Sequence, residues 1–104
     1  MIVTTCDTVP GRELQSTLGL CRGSAIRARH LGKDILASLK NIVGGEMHEY
    51  SKLLAETREQ ALDRMIEDAR SKGADAVVAV RYASTSITQG AAEFLAYGTA
   101  VKLT

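Results

Sequence analysis

The sequence predicts an α+β domain: a two-layer, antiparallel-rich sheet with two consecutive helices on one face, in the order β-β-α-α-β-β. Three observations carry this. Apolar residues alternate with period two up to about residue 28. They then recur every three or four residues from 31 to 72, and two strand-like apolar runs close the chain.

Residues 2–6 are short and β-prone, and Pro10-Gly11 marks a turn. In 14–28, Leu14, Leu18, Leu20, Ile26 and Ala28 share one face. Gln15, Thr17, Cys21, Gly23, Arg27 and Arg29 follow the other, which predicts a half-buried strand with its Leu/Ile face inward. Gly19 and Gly23 suggest a bend or bulge there.

Leu31, Ile35, Leu36, Leu39, Ile42 and Val43 form one helical stripe, closed by Gly44-Gly45. A second helix is expected from Met47 to Lys72, with the stripe Tyr50, Leu54, Ala61, Leu62, Met65, Ile66 and Ala69 and a stop at Gly73. Arg58 falls inside that stripe. It is tolerated if its head reaches an acid, within the chain or on a neighbouring subunit, or if the helix is rotated so that it reaches water.

Ala76–Val80 and Ala92–Leu103 read as the last two strands, with a hairpin connection across 86–91. Both are apolar on both faces. Two helices cover one face, so the second needs a cover. A closed homo-oligomer is the economical one, and folding of the N-terminal segment over that face is the other.

The 104 residues are one domain's worth, and neither composition nor pattern divides 1–104 further. Net charge is +1, which argues against nucleic acid or an anionic membrane as partner. The balance is uneven: residues 1–45 carry six Lys/Arg and three Asp/Glu, and 46–104 carry seven and nine. No stretch is apolar enough for a membrane span and no secretory signal is evident, so a cytoplasmic protein with reduced thiols is expected.

The run Asp34-Ile35-Leu36-Ala37-Ser38-Leu39-Lys40-Asn41-Ile42-Val43-Gly44-Gly45 is similar to the D-x-x-A-x-x-R-D-x-V-G-G signature of the YbjQ-like family. Tyr50, Arg58, Ala61 and Ala69, the stretch Lys72-Gly73-Ala74-Asp75-Ala76-Val77-Val78, and Gly98-Thr99-Ala100-Val101 extend the resemblance over nearly the whole chain. The resemblance implies a dodecin-like subunit fold, a ring, most simply a pentamer, and a heavy metal ion as ligand. It also gives structural or interface weight to Tyr50, Arg58, Gly44, Gly45, Gly73 and Asp75. Where many relatives carry an acidic run after Gly-Ala-Asp-Ala-Val, this chain has Arg81, Tyr82, Ala83, Ser84 and Thr85. Where the family has Gly-Ala-Asn, it has Ala28, Arg29 and His30.

Candidate metal donors are Cys6, Cys21, His30 and His48, since thiophilic ions want converging N and S ligands. The two thiols would approach if 2–6 paired with 14–28; otherwise Cys21 is a packing residue and the histidines lie on the surface. Arg27, Arg29 and Lys33, with His30, form a basic cluster where the second strand enters the first helix. It reads as an anion or small-molecule site, as an edge that deters strand pairing, or as a set of ion pairs to a neighbour's acidic helix. No catalytic motif is present, so a non-enzymatic binding protein is expected, with a purely structural assembly module as a further reading.

Overall fold

A computed structural model describes residues 1–28, 45–88 and 91–104. These form β1 (Ile2–Val3), β2 (Leu14–Ala28), α1 (Gly45–Ser71), β3 (Ala76–Thr88) and β4 (Ala91–Leu103). The strands make one mixed sheet in the order β1-β3-β4-β2. β1 runs parallel to β3, and β4 is antiparallel to both β3 and β2. The α+β class and antiparallel-rich sheet stand. The two-helix order is not reproduced among the described residues, which hold one helix. The other, expected over 31–43, lies outside them together with Gly44. Gly45, expected to end that helix, is the first residue of α1. A single chain carries no ring symmetry, so ring and pentamer remain expectations of the resemblance.

β2 faces the opposite way from the one its apolar alternation predicts. Cys21 pairs with Gly98, Gly23 with Ala96 and Ala25 with Phe94, and this face lies beneath α1. Leu20 and Ile26 point the opposite way and are 58% and 56% exposed. The strand is inverted relative to its apolar pattern, because α1 packs on the small residues. A Cβ placed on Gly23 would clash with the backbone N of Met65, and would lie 2.5 Å from the Ala61 oxygen and 2.6 Å from the Arg64 carbonyl carbon. Gly23 is thus a point of close helix–strand approach rather than a bend. The bend is at Gly19, with φ +106° beside a register shift.

β3 reaches Thr88, well past the expected Val80, and carries a bulge. Between the pairs Val78–Thr99 and Arg81–Tyr97, two residues, Ala79 and Val80, oppose one, Gly98, and Ala79 takes φ +54°. The extra residue resets the alternation, so Val77 and Val80 both face α1 while Val78 faces away. This is the physical origin of the apolar run on both faces. The N-terminal segment clips on here. Thr4 donates to the Val77 carbonyl (3.0 Å), Val80 to that of Thr4 (3.1 Å) and Ala79 to that of Cys6 (2.8 Å).

On the far side of the sheet, Val9 packs with Ala76, Val78, Val101 and Leu103. It is brought there by a type II turn, in which Pro10 and Gly11 (φ +80°) occupy the central positions and Arg12 N–H donates to the Val9 carbonyl. The N-terminal segment therefore does cover the second face, but only at this end.

The helical stripe is rotated by about one residue. Thr57, Ala61, Met65 and Ala69 are buried and Arg58 is exposed. Thr57 tolerates full burial because its hydroxyl donates to the Leu53 carbonyl (2.9 Å) and accepts from Arg27 Nε (3.2 Å). Gly73, at φ +79°, closes α1 as expected: its N–H donates to the Arg70 carbonyl and that of Ala74 to the Ala69 carbonyl. Asp75 is structural, its Oδ2 accepting the Leu103 N–H (2.9 Å).

Candidate functional site

Away from Val9, no element among the described residues covers the outer sheet face. Its three strands form transverse rows: Arg22, Tyr97 and Arg81; Ser24, Leu95 and Ala83; Ile26, Glu93 and Thr85. Leu95 and Tyr97 are half-buried, Arg81 to Ser86 are exposed, and Leu20 and Ile26 flank them as large apolar side chains in water.

The two thiols do not meet. Cys6 lies on the segment that pairs with β3, whereas Cys21 lies on β2, and β4 separates the two strands. The pairing of 2–6 with 14–28 that would have joined them does not occur. Cys21 is fully buried beneath α1, and its Sγ donates to the Gly98 carbonyl at 3.6 Å. Burial and, secondarily, the Asp68 charge push its thiol pKa up. A neutral, enclosed thiol is a poor ligand and a poor nucleophile. Cys6 is exposed. We expect a thiol reagent to label one cysteine per native chain, Cys6, with the second reacting only on denaturation; peptide mapping after brief alkylation checks this. His30 and His48 fall where the structure describes no side chains, and among the described residues no three potential ligands converge.

Of the basic cluster, Arg27 is half-buried and directed at Thr57 beneath α1, while Arg29 and Lys33 lie outside the described residues. Tyr50 lies on α1, and its side chain is likewise outside them. Arg58 shares a shallow open groove on the solvent side of α1 with Lys52, Glu56 and Glu59, a surface of mixed charge. Arg81 donates to the Thr5 carbonyl (3.0 Å) and so helps hold the N-terminal segment.

A feature the sequence did not announce lies along β2. Asp68 Oδ2 accepts the Arg22 backbone N–H at 2.9 Å, and Arg64 donates to the Ser24 carbonyl at 2.6 Å. The Lys72 ammonium, 2.8 Å from Asp68, lowers the Asp68 pKa, with the Arg22 N–H adding to the effect. The depressed folded pKa means that the stabilisation is complete above the ordinary carboxylate range and is lost as pH falls through the folded value. Asp68→Asn is therefore expected to flatten the acid limb of a melting-temperature profile below about pH 4.

Residues 1–104 match the profile of a family described as "Putative heavy-metal-binding". A UPF0145 protein of Methanosarcina acetivorans is 58% identical over 103 residues, covering 99% of this chain and 97% of that one. UPF0145 proteins of Archaeoglobus fulgidus and Clostridioides difficile are each 56% identical, covering 99% of this chain and 95% and 92% of theirs. A crystal structure of a Pediococcus pentosaceus protein of unknown function, from the DUF74 family, superposes with a TM-score of 0.68 at 11% identity. The match covers 100% of this chain and 98% of that one. This last likeness concerns the fold alone.

Proposed function

Because the chain belongs to the YbjQ-like family, we propose that it is a non-enzymatic subunit of a closed homo-oligomer that binds a thiophilic metal ion outside its own core. The inverted β2 carries the reading. It spends its small residues under α1 and turns Leu20 and Ile26 outward beside Leu95 and Tyr97. A polypeptide that leaves such a patch open gains by covering it with another copy.

The metal half rests on the family description and on the exposed Cys6 thiol. Cys21 is enclosed, so Cys6 is the thiol donor in this reading, with His30 and His48 as candidate co-ligands from the same or a neighbouring chain. Oligomers multiply a single donor per chain into the several that a soft ion wants.

The test is native mass spectrometry of the protein titrated with Cd²⁺ or Cu⁺, before and after chelation. The expected result is an assembly that holds metal, loses it in Cys6→Ser and keeps it in Cys21→Ala. Metal binding unaffected by Cys6→Ser contradicts the thiol assignment, and an assembly that takes up no metal leaves the structural module as the better description.

A further inference from the structure

We infer that Arg64 and Asp68 act as a side-chain strand that closes the outer edge of β2 to strand addition by a second copy of this chain.

Among the described residues β2 is the terminal strand of the sheet, and one of its edges is paired with β4 from Leu14 to Ala28. The other edge presents a second set of backbone N–H and C=O groups. At fifteen residues, with Leu20 and Ile26 exposed on it, this is the kind of long, sparsely charged edge on which open-ended strand pairing begins.

α1 lies against that edge at its middle. Gly23 admits the helix backbone, since any side chain there would collide with Ala61, Arg64 and Met65. The approach places Arg64 and Asp68, one helical turn apart, over residues 22–24 of the strand. One turn advances about 5.4 Å, close to the roughly 6.8 Å two-residue repeat along a strand. The Asp68 carboxylate accepts an edge N–H, that of Arg22, and the Arg64 guanidinium donates a hydrogen bond to an edge C=O, that of Ser24. Donor and acceptor alternate as they would on an incoming strand. Lys72 anchors the acid from the next turn, at 2.8 Å. These contacts come from α1, which packs on one face of the sheet, whereas the open apolar residues Leu20, Ile26, Leu95 and Tyr97 belong to the other. The guard is therefore independent of the proposed assembly surface. Its role is to keep self-association on the face, where it closes, and off the edge, where it propagates.

The experiment compares wild type with Asp68→Ala, Asp68→Asn and the double variant Arg64→Ala/Asp68→Ala. Two quantities are read: hydrogen exchange at the Arg22 amide, and the mass distribution by light scattering with thioflavin T fluorescence. In Asp68→Ala the Arg22 amide is expected to exchange roughly tenfold faster, as befits loss of a hydrogen bond to a charged acceptor, while Asp68→Asn stays near wild type. The double variant is expected to form larger, dye-binding species that grow with concentration. Should it lose its circular dichroism, Arg64→Ala and Asp68→Ala singly are read the same way. Unchanged Arg22 exchange in Asp68→Ala, or variants with the mass distribution of wild type, would overturn the proposal. Variants of the open face lower the mass and variants of the guard raise it, so failure of one reading is distinguishable from failure of the other.

Discussion

Gly23→Ala is expected to cost about 3 kcal/mol of stability, far more than one methyl usually does. The added carbon would stand inside contact distance of three backbone atoms of α1, and backbone cannot rotate away as a side chain can. The helix must lift along its whole central stretch. That opens the layer formed by Cys21, Ala25, Ala61, Met65, Ala96 and Ala100, where close packing leaves no slack. Gly19→Ala is the control. Gly19, unlike Gly23, has positive φ (+106°) and nothing within 4 Å of the added carbon, so its cost is backbone strain alone, about 1 kcal/mol. Urea unfolding followed by circular dichroism, at one chain concentration, separates the two. Equal costs for the two variants would mean that α1 does not rest on β2 as described.

Leu20→Asp/Ile26→Asp is expected to convert the proposed homo-oligomer to folded monomers. Each side chain is more than half exposed in the single chain, so the fold itself loses little. Across an interface the balance differs. Burying a Leu or Ile contributes about 1.5–3 kcal/mol, and a carboxylate in its place would have to be desolvated. Two such losses per chain weaken association by more than about a hundredfold, at roughly 1.4 kcal/mol per factor of ten. Light scattering after size exclusion reads the mass, and circular dichroism confirms the fold. An unchanged mass would place the interface elsewhere.

Much of the architecture was legible. The α+β class, the long second helix, its stop at Gly73 and the strand character of 76–80 and 92–103 follow from periodicity and glycine placement. The facing of β2 was not, for a definite reason. Alternation says that two faces differ; it does not say which is inside when one is Leu/Ile and the other Cys/Gly/Ala. Large side chains usually win the interior. Here a helix lying close on the strand needs small ones, and that need is set by Ala61, Met65 and Ala69 on a distant segment. Arg58 turns to solvent, one of the two readings that its place in the stripe allowed, and Thr57 takes the buried position.

The candidate site was less legible still. Cys6 and Cys21 could approach only through a strand pairing that the topology replaces with β1 beside β3, and Cys21 takes the other reading, that of a packing residue. The contacts of Arg64 and Asp68 with β2 had no signal in the sequence, because strand edges are invisible until sheet order is known. The bulge at Ala79 explains a run that seemed to demand cover on both faces. It turns Val77 and Val80 to one side, leaving Val78 for Val9 to cover on the other.

Sedimentation equilibrium of the wild-type protein, over a hundredfold range of concentration, tests the central claim most directly. A single species at an integral multiple of the 11.1 kDa chain mass, stable to dilution, is the result expected if the open face of β2 and β4 is covered by copies of itself. A species that stays at 11.1 kDa throughout would contradict it, and would leave Leu20 and Ile26 as apolar side chains that this fold simply holds in water.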